Sequence, residues 1–113
     1  MGGSLMTAKL PEHFEANNYT IKVKLLKKIK SDKKKEKLRG EFDPNKYIIR
    51  VEKSIPDKEW HDLIHEFLHL SCDLVELSNP DAKNTAKEVD KDETFIDALA
   101  GLIHQFIKPY LRD

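Results

Sequence analysis

One amphipathic segment, which carries His65-Glu66-Phe67-Leu68-His69, limits what this chain can fold into more than any other stretch. Its core-facing positions recur at steps of three and four, which predicts a helix of about five turns. Pro56 suits the first turn of that helix, and Asn79-Pro80 ends it. Residues four apart on a helix lie one above the other, so His65 and His69 leave from the same face. The predicted core-facing positions are Trp60, Leu63, Ile64, Phe67, Leu68, Ser71, Leu74 and Val75.

The polar face of this helix has the spacing of a metal site. Two imidazoles four residues apart can both bind one tetrahedral ion such as Zn²⁺. Glu66, which lies between them, flanks the ion and can take a proton from the attacking water. His61 and His65 have the same spacing, but Asp62 stands where the base belongs and its side chain is shorter. We therefore predict His65, Glu66 and His69 as the site and place His61 at its rim.

A third metal ligand has to come from elsewhere in the chain, because catalytic zinc takes three protein ligands and keeps one open position. An extension of the motif along the same helix would need a histidine at position 75, which is Val75. The last predicted helix, from about Lys91 to Tyr110, offers acidic residues instead. Glu93 is nearest its start, 24 residues after His69. A connection of that length, returning antiparallel, can bring Glu93 beside the metal.

Two further residues on the same stripe of the last helix remain alternatives for the third ligand. Asp97, one turn beyond Glu93, can instead accept a proton from a ligand histidine and orient its ring. His104 lies about 16 Å further along the helix than Glu93 at 1.5 Å per residue, so both cannot bind one ion.

His65-Glu66-x-x-His69 followed by Glu93-x-x-x-Asp97 and small or apolar residues resembles the gluzincin pattern of zinc metalloendopeptidases. The layout is similar to the smallest members, the minigluzincins, and to phage and mobile-element proteins related to the ImmA/IrrE and SprT-like peptidases. The resemblance covers roughly residues 19–110. It implies Zn²⁺ held by His65, His69 and Glu93, Glu66 as general base and acid, and a protein or peptide substrate held in extended form by the edge strand. Gluzincins often add a residue that stabilises the oxyanion, for which the unassigned candidates are Tyr110, His104 and His61.

The first half of the chain predicts a small sheet, and the whole chain an α+β fold of the minimal zincin type. We expect an N-terminal tail with a short helix in residues 1–18, opening with Pro11, and a single zincin-like catalytic domain in 19–113. Residues 1–5 look like an added N-terminal remnant. Alternating and β-branched residues predict a three-stranded, mainly antiparallel sheet. Its strands are Tyr19–Lys30, Leu38–Phe42 and Tyr47–Lys53, with an exposed connection at Ser31–Lys37 and a turn at Asp43–Lys46.

The predicted site helix is followed by a polar segment, Asp81–Lys91, that we expect to form a loop. Pro109 lies near the end of the last helix and is expected to truncate it. Cys72 follows His69 by less than a turn, and we expect it to be a small buried residue. The last helix has a predicted buried stripe made of Phe95, Ile96, Leu99, Leu102, Ile103, Phe106 and Tyr110.

Charge and cysteine content limit the alternatives. Residues 1–55 hold 14 Lys and Arg against 7 Asp and Glu, whereas residues 56–113 hold 6 against 13. The basic run Lys22–Arg39 has no interleaved aromatic residue for base stacking, so we expect a solvated hairpin and no nucleic acid. One cysteine excludes a disulfide framework and favours a cytoplasmic location. No stretch predicts a membrane span.

Two non-enzymatic functions remain as alternatives. The first is a phage or mobile-element regulatory protein stabilised by zinc, in which His61 or Cys72 would supply a fourth ligand. The second is a nucleic-acid accessory protein that uses the basic hairpin.

Overall fold

The computed structural model describes residues 8–27 and 40–111, which form four strands followed by three helices. The α+β class is therefore confirmed. Two 3-10 turns, Pro80–Ala82 and Lys108–Tyr110, come before and after the last two helices. The elements are β1 (His13–Ala16), β2 (Tyr19–Leu26), β3 (Gly40–Asp43), β4 (Ile48–Glu52), α1 (Pro56–Ser78), α2 (Lys83–Lys91) and α3 (Glu93–Ile107).

The segment predicted as a short N-terminal helix is a strand instead. β1 pairs antiparallel with β2, and the two-residue connection Asn17-Asn18 has both residues at positive φ, 52° and 69°. Asparagine tolerates this left-handed backbone, and a two-residue turn of this hand matches the twist of paired strands. The prediction failed because Pro11 was interpreted as a helix start, whereas the two asparagines form a hairpin turn.

The sheet has four strands in the order β1-β2-β4-β3. The predicted antiparallel pairing of β3 with β4 is confirmed, whereas β2 and β4 pair in parallel. The expectation of three mainly antiparallel strands is therefore wrong in detail, because pairing between distant segments is not written in local patterns. Residues 28–39, which include most of the basic run, the predicted connection Ser31–Lys37 and the ends of two predicted strands, lie outside the described residues.

The turn between β3 and β4 forms as predicted. The Asp43 side-chain Oδ1 accepts hydrogen bonds from the backbone N–H groups of Asn45, at 3.0 Å, and Lys46, at 3.3 Å. Tyr47, predicted to begin the next strand, has φ of 52° and belongs to the turn. Its ring stacks on Tyr19, with the ring centroids 4.5 Å apart.

Helix α1 begins and ends where predicted, is longer than the predicted five turns at 23 residues, and packs one face on the sheet. Ile49 and Val51 of the central strand β4 are fully buried, as is Leu70 of α1. Of the predicted core-facing positions, Phe67 and Val75 are exposed instead. The core cluster consists of Ile21, Ile49, Val51, Leu63, Leu70 and Leu74.

The expected loop at residues 81–91 is wrong, because the segment forms a 3-10 turn and helix α2. Its composition is polar, and Ala86 is its only buried residue, so no apolar stripe marked it as a helix. Asp92 separates α2 from α3, and its side chain accepts a hydrogen bond from the backbone N–H of Phe95. An aspartate in this position caps a helix start, so α3 begins at Glu93 and not near Lys91.

Helix α3 packs against α1, but most of its predicted buried stripe faces outward. Ile96 and Ala100 are fully buried, whereas Phe95, Leu102, Phe106 and Tyr110 are exposed. The prediction assumed one broad apolar face in contact with the core, but α1 covers only part of that face. Pro109 lies in the 3-10 turn after α3, which ends the α-helix at Ile107. Among residues 8–27 and 40–111, no helix is long and apolar enough to cross a membrane.

Candidate metal centre

Helices α1 and α3 bring the three predicted ligands together. The His65 and His69 rings lie on one face of α1 with their centroids 5.2 Å apart. Glu93, the first residue of α3, reaches between them. Its Oε1 lies 2.6 Å from Nε2 of His69, and its Oε2 lies 3.2 Å from Nε2 of His65. One ligand atom from each of the three residues lies within 4.8 Å of the others, and no other such group of His, Cys, Asp and Glu occurs among the described residues.

A carboxylate holds the second nitrogen of each histidine. Nδ1–H of His65 donates to Oδ1 of Asp97 at 3.1 Å, the role predicted for Asp97. Nδ1–H of His69 donates to Oδ1 of Asp90 at 2.7 Å. These contacts orient the two rings so that both Nε2 atoms face Glu93, as in proteins whose metal-binding histidines are oriented by carboxylates.

Asp90 was not predicted, because its segment was interpreted as a loop. A predicted helix over residues 83–91 would have made Asp90 a candidate, because Asp90 would then lie near the end of a helix, three residues before Glu93. The acidic neighbours affect the charge state of His69. Burial acts to lower the pKa of His69, but the carboxylates of Asp90, Glu93 and Glu66 outweigh it and raise that pKa. Because a proton and a metal ion compete for Nε2, metal binding here should strengthen with rising pH.

Glu66 lies beside the three ligands in a more enclosed position. Its side chain is 13% exposed, and its Oε2 is 4.0 Å from Nε2 of His65. Burial raises its pKa to about 7, with His65 and His69 acting to lower it and Glu93 and Asp62 to raise it. A carboxyl group with this pKa can both accept and donate a proton near neutral pH.

Strand β3 passes directly over Glu66 at Gly40. A Cβ at position 40 would lie 3.1 Å from Cγ of Glu66 and 3.3 Å from its Oε2. Contacts this short would force the Glu66 side chain to move, so glycine allows the strand to approach the predicted base closely. The predicted site included no residue of this strand.

An open cleft of about 250 Å³ begins at this point and extends past His69. Strand β3 and the turn after it form one side, through Phe42 and Pro44, and the helices form the other. Burial and the neighbouring acids raise the pKa of Asp73, which also lines the cleft. The cleft therefore runs from the outer strand of the sheet to Glu66 and His69.

His61 and His104, suggested as oxyanion candidates, have other partners. Nε2–H of His61 donates to the same Oδ1 of Asp97 that His65 contacts, at 3.0 Å. Nε2 of His104 lies 4.0 Å from Oδ1 of Asp57. Tyr110 is 80% exposed beyond the end of α3. The structure gives none of these three a contact with Glu66 or Glu93, and the oxyanion residue stays unassigned.

Cys72 does not belong to the group of converging ligand atoms. It is half-buried, and burial together with Asp90 and Glu76 raises the pKa of its thiol. A raised pKa favours the neutral thiol, which is a poor ligand and a weak nucleophile. Within the described part of the chain, neither Cys72 nor His61 has an atom in the group of converging ligand atoms, so the structure places neither as a fourth ligand.

Comparison of the chain with protein-family models, curated proteins and solved structures gave no match. The resemblance to gluzincins thus stays a prediction from the motif and the layout. What bears on function is the arrangement of the side chains themselves: two oriented histidines, a bridging glutamate and a largely enclosed carboxyl group beside a cleft.

Proposed function

We propose that this protein is a zinc-dependent peptidase that hydrolyses a peptide bond with an activated water. The observation that carries the proposal is the convergence of His65, His69 and Glu93 from two helices. Glu66 next to them has a pKa of about 7. Metal ligands alone would fit many proteins, but ligands with a base at their side fit hydrolysis best.

The donor set suits zinc. Two imidazole nitrogens and one carboxylate oxygen form a known catalytic ligand set for Zn²⁺, which leaves a fourth position open. The carboxylate partners of both histidines increase the basicity of the rings and hold them in place. Glu93 is 67% exposed, so the predicted centre is open to solvent, and His69 also lines the cleft. A bound zinc ion would supply a Lewis acid that polarises a carbonyl and makes water more acidic.

Glu66 would perform the proton transfers. Its carboxylate takes a proton from the attacking water and later gives that proton to the leaving amine. Burial supports both steps, because it brings the pKa of the group close to neutrality. Gly40 of β3 leaves room for the Glu66 side chain, since a Cβ at position 40 would lie 3.1 Å from its Cγ.

The outer strand β3 would hold the substrate. β3 lies at one end of the strand order, next to β4, and among the described residues no other strand pairs with its outer edge. An extended peptide added to that edge would gain main-chain hydrogen bonds and lie along the cleft beside Glu66. The natural substrate in this proposal is therefore a protein segment that can be drawn out as a strand.

Replacement of the base tests the proposed chemistry. We expect Glu66→Gln to keep the fold and the zinc content of the wild type and to lose hydrolysis, because the amide cannot take the proton. Digestion of a mixed peptide library, read by mass spectrometry, measures the cleavage. The matched control is Glu88→Gln, which removes the same charge from an exposed position of α2. If Glu66→Gln cleaves the same peptides as fast as the wild type, the mechanism is wrong.

The coordination of bound zinc separates this function from the structural alternative. X-ray absorption of the zinc-loaded protein counts the ligands and their types. Two imidazoles, one carboxylate and a water support a peptidase. A fourth protein ligand, above all a sulfur from Cys72, would instead support a structural site.

A further inference from the structure

One side of α3 is exposed although the sequence predicts that its apolar residues are buried. The helix is apolar over more than half of its circumference, but α1 covers only the sector that holds Ile96 and Ala100. The neighbouring sector carries large apolar side chains in solvent: Phe95 is 49% exposed, Leu102 64% and Phe106 76%. Leu99 lies between them and is half-buried. We call these four residues the α3 stripe.

The order of residue types along the α3 stripe is the same from either end of the helix. Its residues follow each other at steps of four, three and four, as Phe-x-x-x-Leu-x-x-Leu-x-x-x-Phe. A two-fold axis perpendicular to the helix, midway between Leu99 and Leu102, would set Phe95 against Phe106 of a second copy. It would likewise set Leu99 against Leu102. Isologous two-fold interfaces need this kind of self-complementarity, because each patch must match itself in reverse.

The area suits a weak, reversible dimer. Aromatic side chains bury about 150–250 Å² each, so the exposed fractions of Phe95 and Phe106 together with that of Leu102 give roughly 350 Å² per copy. Two copies would bury about 700 Å², which places the contact among small, transient interfaces. Between Phe95 and Phe106, α3 carries one charged residue, Asp97, which contacts His61 and His65 on the side that faces α1.

A second copy fits this surface better than the remaining parts of the chain. Residues 28–39 hold nine charged residues in twelve, which does not suit an apolar stripe. Residues 1–7 contain two methionines and a leucine. The backbone N–H of Ala8 donates to the carbonyl of Leu111 at 2.6 Å, so this segment joins the chain near the end of α3. Residues 1–7 are therefore the alternative occupant of the α3 stripe, which an experiment has to distinguish from a second copy.

We propose that two copies of this chain associate through the α3 stripe as an antiparallel helix pair, with Phe95 of each copy against Phe106 of the other. The α3 stripe lies next to the sector of α3 that packs on α1, and none of its four residues lines the cleft at Glu66 and His69. The proposal does not depend on the proposed enzymatic function.

Sedimentation over a range of protein concentrations tests the association. The wild type should pass from monomer to dimer as concentration rises, in the micromolar range typical of small interfaces. Leu102→Glu should raise the dissociation constant by more than about tenfold, since it buries a charge at the centre of the contact. Leu77→Glu is the matched control, because Leu77 is 67% exposed on α1 and lies outside the stripe. Phe106→Glu provides a second variant if Leu102→Glu does not fold.

Cross-linking tests the register. In a Cys72→Ala background, Phe95→Cys and Phe106→Cys chains mixed together should be joined by a short bis-maleimide. Neither should cross-link alone, because identical residues lie about 16 Å apart along an antiparallel pair. Efficient cross-linking of Phe95→Cys alone would overturn the antiparallel register.

Three other results would overturn the dimer itself. One is a wild type that stays monomeric at every concentration. A second is a chain that dimerises only after deletion of residues 1–7, which would identify that segment as the natural occupant. The third is equal dissociation constants for Leu102→Glu and Leu77→Glu. Zinc content should be the same in all these variants, so a failure here is distinct from a failure of the proposed function.

Discussion

Helix α1 carries two histidine pairs of identical spacing, and the structure uses them differently. In the pair His65 and His69, both Nε2 atoms face one carboxylate, that of Glu93. In the pair His61 and His65, the rings share one oxygen of Asp97 through Nε2 of the first and Nδ1 of the second. A spacing of four residues between two histidines therefore permits a metal site but is not enough to form one.

The difference comes from α3, which runs beside α1 and offers one acid to each pair. Glu93 and Asp97 stand one turn apart, so each meets a different turn of α1. Each carboxylate contacts two ring nitrogens, but only Glu93 lies against two Nε2 atoms, whose rings have their Nδ1 atoms on other carboxylates. The register of the two helices therefore decides which acid meets the predicted ligands, and the motif alone does not.

Removal of one histidine from each pair should give the largest contrast. We expect His69→Ala to weaken zinc binding by more than the roughly 100-fold that bounds the loss of an orienting partner. His61→Ala should change zinc affinity by only a few fold, since His61 contacts Asp97 and is not itself a predicted ligand. Competition with a chelator of known affinity measures both. Equal losses would mean that the two pairs are not distinct.

Replacement of Glu93 should have the next largest effect. Glu93→Ala removes the carboxylate that lies between the two Nε2 atoms, so zinc content after dialysis should fall to near background. The control is Glu88→Ala on α2, which is exposed and outside the group of ligand atoms. Undiminished zinc affinity in Glu93→Ala would point to Asp97 or His104 as the third ligand.

The orienting carboxylates should contribute less than the ligands. We expect Asp90→Asn and Asp97→Asn each to weaken zinc binding by about 10–100-fold, because the histidine rings lose a charged acceptor. Asp90→Asn should have the larger effect, since its contact with His69 is 2.7 Å and that of Asp97 with His65 is 3.1 Å. Chelator competition again gives the values. If Asp97→Asn proves the more damaging, the shared contact with His61 matters more than distance.

The far end of the helix pair should give the smallest effect, in the dependence of stability on pH. Burial lowers the pKa of His104, with Asp57 opposing and His61 and Lys108 reinforcing the shift. The unfolded chain therefore takes up this proton at a higher pH than the folded chain. Stability should fall as pH drops through the ordinary histidine value of about 6.5, and the loss is complete below the folded pKa.

A variant isolates this contribution. The metal-free wild type should lose more unfolding free energy between neutral and mildly acidic pH than His104→Gln, measured by urea denaturation. His13→Gln, at an exposed position of β1, should keep the wild-type slope. A steeper slope in His104→Gln would reverse the sign of the argument.

Local patterns predicted the parts of the fold that depend on neighbours in sequence. The limits of α1, the turn after Asp43 and the antiparallel pair β3 and β4 followed from periodicity and turn chemistry. Polar composition concealed α2, and with it Asp90. Pro11 suggested a helix where Asn17 and Asn18, both in left-handed conformation, close a hairpin. These failures share a cause: the deciding signal was weaker than a competing one in the same segment.

By itself the sequence determined the polar face of α1, because a period of 3.6 residues places His65, Glu66 and His69 together whatever surrounds them. The tertiary structure decided which acid meets them, how deeply Glu66 is buried and which side of α3 is left in solvent. Each of these depends on the packing of segments far apart in the chain. Hydrophobic periodicity shows that a face is apolar, but only the packed neighbours determine whether that face is covered.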